Sequence, residues 1–204
     1  EDIRFVGNDY EMGGFLATEH LIKKGFQKIG CIAAEKGNLV SELRTSGYRK
    51  ALKHYKLEVN PENEFHLEYE NDWNYYNSGI NLGREIGAQA TIPDAFFVYN
   101  DLAALGFIQG LQQVGLHVPN DVAVVGFDDI ERANWASVPL TTINRCTDQI
   151  GKIAATQVIQ QIKGHRDIPQ KTIVKPRLVV RASCGTYPWY LNRNEEAPKS
   201  HASF

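Results

Sequence analysis

The chain has 204 residues, 43% of them hydrophobic and 23% charged, with a net charge of −2; this is ordinary globular composition at a length that can bury a core. Without a basic surplus to neutralise a run of phosphates, this stretch alone is a poor nucleic-acid binder. No apolar run reaches membrane-spanning length, Glu1-Asp2 opens no signal-peptide pattern, and the three distant cysteines Cys31, Cys146 and Cys184 fit neither a metal spacing nor a disulfide framework, so reduced thiols in the cytoplasm are expected.

In chain order, Ile3 to Val6 reads as a short strand. Met12, Phe15, Leu16 and Ile22 then recur at helical spacing, and Gly25 closes that helix. Residues 29–34 are apolar without alternation, as expected of a strand whose sheet is covered on both faces. Leu43, Tyr48, Ala51, Leu52 and Tyr55 form a second helical stripe, followed by a weaker strand over 65–69 and a helix over 75–88. Pro93-Asp94 opens a strand over 95–99, and Leu102, Leu105, Ile108 and Leu111 make the next helix, closed by Gly115. Residues 122–127 are the clearest strand; irregular sequence runs from there to Pro139. A helix over 150–162 and late strands over 172–174 and 178–180 complete the pattern, and from Gly185 the sequence is polar. Strands alternating with helices of this length predict an α/β fold of parallel sheets flanked by helices.

Open parallel sheets bind ligands just beyond the carboxyl ends of their strands. Those positions carry Asn8-Asp9, Ser41 and Arg44, Asp72-Trp73, Asn100-Asp101 and Asp128-Asp129. Paired acceptors, a forked donor and an aromatic plate suit a neutral polyhydroxylated ligand. Each residue also has a plainer reading. Asp9 and Asp101 are good helix N-caps; Asn100 and the Asp128-Asp129 pair suit turns; Arg44 could be a solvated helix residue and Trp73 core. Enzyme signatures are absent: nothing matches a glycine-rich dinucleotide loop, a P-loop, a nucleophile elbow or a zinc-protease helix. The six histidines are scattered, and no catalytic residue, metal site or cofactor is expected.

Several segments together resemble the LacI/GalR family of transcriptional regulators. They are Asn8-Asp9 with Gly13 and His20-Leu21-Ile22 to Gly25; Arg44 with Gly47-Tyr48; Pro93-Asp94-Ala95-Phe96 to Asn100-Asp101, Ala103-Ala104 and Gly106; Val118 to Asp129; Pro139-Leu140-Thr141-Thr142-Ile143; and Arg181-Ala182-Ser183-Cys184. The resemblance implies a type I periplasmic-binding-protein-like fold with a ligand cleft between two lobes. It places Asp9, Arg44, Trp73, Asn100 and Asp128 where the family contacts its effector, the positions the strand ends also mark. It further implies a small effector such as a sugar, a sugar derivative, a nucleoside or a purine, a cytoplasmic homodimer, no membrane, and contact with operator DNA only through a helix-turn-helix head outside this sequence. On this reading the first lobe is incomplete. Residues 1–22 and 145–175 are its remnant, 23–144 and 176–186 form the C-terminal lobe, and 187–204 are a polar tail. Arg145-Cys146 departs from the family's common Gln-Pro, which leaves the contact there open. An exported sugar-binding receptor shares the fold and is the alternative; an α/β enzyme is the weakest reading.

Overall fold

The structure, a computed structural model, describes residues 3–68 and 74–185; Trp73 and the polar tail lie outside the described residues. The chain runs β1 (Phe5–Asn8), α1 (Tyr10–Lys23), β2 (Ile29–Ala33), α2 (Leu39–His54), a 3-10 turn at Pro61–Asn63, β3 (Glu64–His66), α3 (Tyr75–Gly87), β4 (Ala95–Val98), α4 (Asp101–Gln113), β5 (Ala123–Val125), α5 (Glu131–Trp135), β6 (Thr142–Asn144), α6 (Thr147–Ile162), β7 (Lys171–Val174) and β8 (Arg177–Val179).

The principal sheet is parallel, with strand order β3-β2-β4-β5. Every residue of β2, β4 and β5 is buried, and the alternation rule explains how. Successive side chains point to opposite faces: Phe96, Val98 and Val124 enter a core with Phe107 and Leu111 of α4, while Ala95, Phe97 and Val125 enter a second core with Leu21 of α1 and Tyr48 of α2. Both faces are covered, so an uninterrupted apolar run is the pattern such strands need. Phe96, Phe97, Phe107 and Phe127 are fully buried, each contributing roughly 1.5–3 kcal/mol by leaving water.

Two smaller sheets accompany it. In one, β1 pairs with β7 in parallel, Phe5 opposite Lys171 and Asn8 opposite Val174. In the other, β6 and β8 pair antiparallel. Backbone bonds from Gly126 N to Thr141 O and from Asp128 N to Ile143 O, both 2.8 Å, lay β6 beside the end of β5. Helix α5 and strand β6 fall in or just after the segment read as irregular; at five and three residues they are too short to show a period.

Helix α1 packs on the principal sheet: Ala17 and Leu21 are buried in the same core as Tyr48 and Phe97. Glycines hold α1 and α2 at backbone contact. A Cβ on Gly14 would stand 2.0 Å from the carbonyl oxygen of Arg44, and one on Gly47 2.0 Å from that of Glu11, so any larger residue at either position would push the helices apart. Spacings of three and four residues from Arg44 put Gly47 and Tyr48 on the same side of α2, and the close approach places the Arg44 carbonyl against Gly14 of α1.

Candidate functional site

The carboxyl ends of β1, β4 and β5 converge on Arg44. Its side chain is 4% exposed, and its guanidinium carbon sits 3.7 Å from the Phe127 ring centroid, 4.7 Å from that of Tyr99 and 5.3 Å from that of Tyr10. Nη1 donates to the Tyr99 carbonyl, and Nη2 donates to Asp128 Oδ1 at 3.1 Å. Nε is buried without a hydrogen-bond partner. Desolvation lowers the Arg44 pKa from its ordinary value, opposed by Asp128. The solvated-helix reading of Arg44 is therefore excluded: three aromatic rings, a carbonyl and a carboxylate fix the guanidinium in place.

Asp128 reaches this position through strained backbone. Its φ is +118°, followed by +56° at Asp129, a region L-residues seldom occupy and one that recurs at ligand sites. The successive turns send the two carboxylates to different partners. Asp128 Oδ1 meets Arg44 and, at 3.2 Å, Arg145 Nε; Asp129 meets Arg181 at 2.7 Å and accepts from Asn144 Nδ2 at 2.6 Å. Burial raises the Asp128 carboxyl pKa, with Arg44 and Arg145 holding it down.

Asn100 and Asp9 are both helix caps. Asn100 Oδ1 accepts from Ala103 N at 2.8 Å at the start of α4, and Asp9 Oδ1 accepts from Met12 N at 2.9 Å at the start of α1. The α4 cap is thus Asn100, not Asp101. Asp101 is fully buried, takes a hydrogen bond from Ile130 N at 2.9 Å and from the Thr142 hydroxyl, and its pKa is pushed up to about 7 by burial. Capping does not exclude ligand contact: with Oδ1 engaged, Asn100 would meet a ligand through its amide donors. The structure therefore brings Arg44 and Asp128 into direct contact and sets Asn100 and Asp9 beside two of the aromatic residues around them. Trp73 lies outside the described residues.

Sequence reasoning passed over three participants. Tyr10 carries no reading in the sequence, Tyr99 only closes the strand over 95–99, and Arg145 stands only as a departure from the family's common Gln-Pro. Asn8 Nδ2 donates to Arg145 O at 2.9 Å and to Val174 O at 3.1 Å, which ties β1 to the segments leaving β6 and β7. Asp128 also lines a pocket of about 430 Å³ with Asp129, Asn144, Cys146, Lys152 and Arg177 among others. Among the described residues, no group of three metal-ligating side chains could hold a metal, and no helix is long and apolar enough to cross a membrane.

A periplasmic binding protein-like domain matches residues 18–184. The chain is 36% identical to the ribose operon repressor of Escherichia coli over 182 residues, 89% of this chain and 54% of that protein. It belongs to the LacI/GalR family. It is also 34% identical to the PurR transcriptional repressor of Vibrio parahaemolyticus over 171 residues, 84% of this chain and 50% of that one. Among solved structures, the complex of the transcriptional regulator CelR with cellobiose superposes with a TM-score of 0.78 at 32% identity, over 90% of this chain and 54% of CelR. The chain spans about half the length of the curated relatives it matches. Membership agrees with the α/β, parallel-sheet architecture of a LacI/GalR effector-binding domain.

Proposed function

We propose that this chain is the effector-sensing part of a transcriptional regulator that binds a small polyhydroxylated ligand between two lobes and so controls a DNA-reading head. The observation that carries this reading is the pairing of Arg44 with Asp128 at the strand ends, on backbone of positive φ at Asp128 and walled by aromatic rings. A forked donor and an acceptor side by side suit vicinal hydroxyls. Asn100 and Asp9 complete the polar contacts on this reading; Trp73, the expected aromatic plate, lies outside the described residues. The arrangement binds without catalysing. β1, β7 and α6 belong to the first lobe and the principal sheet to the second, so ligand closure moves one against the other and resets the DNA heads. The regulator acts in the cytoplasm as a homodimer. Support for the dimer comes from Trp135, 75% exposed at the rim of a surface pocket lined by Tyr76, Gln109, Arg132 and Val138, and from the likeness at 27% identity and TM-score 0.76 to a lac repressor dimer bound to operator.

The test is electrophoretic mobility of DNA from upstream of the protein's own gene, with the protein at its natural length. A shift whose midpoint moves when D-ribose, cellobiose or a purine base is added bears the proposal out. Sugar binding by calorimetry with no DNA shift at any concentration would instead favour a transport receptor.

A further inference from the structure

Charge at the cleft is unbalanced. Arg44 and Arg145 both form their ion pairs with the same atom, Asp128 Oδ1, so two guanidiniums face one carboxylate. The neighbouring carboxylates do not restore the balance. Asp129 is engaged by Arg181 and Asn144, Asp101 is buried against Thr142 and Ile130, and Asp9, whose Oδ1 caps α1, forms no ion pair with either guanidinium, each of which pairs with Asp128. Each guanidinium carries five N–H donors; Arg44 Nε is buried without a hydrogen-bond partner, and Arg145 faces Asp128 through Nε alone, at 3.2 Å.

Arg145 also has a place for a small group beside it. It lines a recess of about 230 Å³ with Asn8, Tyr10, Thr147 and residues of β1, and no acidic side chain is among the lining residues. Arg145 is 35% exposed at its side chain, against 4% for Arg44, so it is the partner an incoming ligand can reach. Its carbonyl is held by Asn8, which fixes where the side chain emerges.

We propose that the effector of this site is an anionic polyol, a sugar acid or a sugar phosphate, whose charged group is taken by Arg145 while its hydroxyls meet Arg44 and Asp128. The inference rests on the effector-binding reading above and narrows its ligand class. A neutral sugar closing over this site would strand a net positive charge out of water, which is costly. An anionic group supplies the missing charge through short, forked, charge-assisted hydrogen bonds of the kind guanidinium forms with carboxylate and phosphate.

The experiment is calorimetric titration of the protein at its natural length with two matched sets: D-glucose, D-gluconate and D-glucose 6-phosphate; D-ribose, D-ribonate and D-ribose 5-phosphate. The expected result is that within one set an anionic member binds at least about tenfold tighter than its neutral parent, with an advantage that shrinks as salt is raised. Which member wins, acid or phosphate, identifies the group. In Arg145→Gln the preference for the anion should collapse toward unity, and in Arg145→Lys part of it should return, which a merely structural role would not do. A neutral sugar that binds tighter than both of its anionic partners overturns the anion assignment and leaves the effector-binding reading standing. An anion preference unchanged in a folded Arg145→Gln variant overturns the role of Arg145. Binding by none of the six compounds counts against both the anion assignment and the reading beneath it.

Discussion

In the principal sheet, β2 and β4 bury every residue from Ile29 to Ala33 and from Ala95 to Val98; in the β1–β7 sheet only Asn8 and Val174, at the carboxyl ends, are buried. Half of the β1–β7 residues, Phe5, Val6, Ile173 and Val174, are as apolar as their counterparts in β2 and β4, yet of these only Val174 is buried. What differs is the number of neighbours. The first sheet has α1 and α2 on one face and α3 and α4 on the other. Among the described residues the second is accompanied by α6, whose Val158, Ile159 and Ile162 are 56%, 52% and 80% exposed. Burial, not hydrophobicity, converts apolar side chains into stability, so the principal sheet carries the folding energy. The ligand-binding geometry follows the same division: Arg44 and Asp128 are locked into the well-packed region, while Arg145 and Asn8 lie at its join with the less packed one.

The largest contrast expected is between core and uncovered apolar positions. Phe107 is fully buried and packs edge-on against Phe96 with ring centroids 4.9 Å apart; Phe107→Ala should cost about 3–5 kcal/mol. Ile162→Ala, on the exposed face of α6, should change stability by no more than about 0.5 kcal/mol. Urea unfolding measures both. Comparable losses would show that α6 is covered in solution and that the two regions are not so different.

A pH effect of similar size resides in Asp101. Its carboxyl is raised to about 7 by burial, in spite of the Thr142 and Ile130 hydrogen bonds. Because the folded value lies above the unfolded one, its contribution is complete below about pH 4 and is lost progressively as pH rises through about 7. The difference of roughly three units corresponds to something on the order of 4 kcal/mol. Asp101→Asn should remove this dependence, so the variant should gain on the wild type as pH is raised across that window. Parallel stability profiles for the two proteins would mean that Asp101 is solvated and the core around β6 looser than described.

The smallest effect concerns the recess beside Arg145. Hydrogen exchange should be slow in β2, β4 and β5 and faster in β1 and β7, whose backbone bonds open without dissolving a core. Ligand should slow β1 in particular, because Asn8 links it to Arg145. Equal protection of both sheets without ligand would erase the contrast between them.

Much of this division was legible in the sequence. The runs at 29–34 and 95–99 announced doubly covered strands because they show no alternation, and Asp128 stood out because a carboxylate pair follows such a run. Asn100 and Asp101 were harder to tell apart: both can cap a helix, and only the register of α4 decides which one does. β6 escaped notice because three residues show no period, and with it went the cue that Arg145 emerges beside Asp128. The placement of α1 was also hidden. Its apolar stripe announces a helix with a buried face but does not name the sheet it covers; the backbone contact through Gly14 and Gly47 settles that, and close approach leaves no mark in a sequence beyond the glycines themselves.

The central claim is that Asp128, held by Arg44 at 3.1 Å, receives the ligand. Native mass spectrometry of the protein at its natural length, purified without added ligand, tests it without knowing the effector in advance. Asp128→Asn keeps the shape and serves as the main variant, since Asp128→Ala would leave Arg44 buried and unpaired, a defect worth about 3–5 kcal/mol in itself. The account predicts a small-molecule adduct on the wild type, and at least about tenfold lower occupancy on a folded Asp128→Asn protein. The same adduct at equal occupancy on both proteins would contradict it.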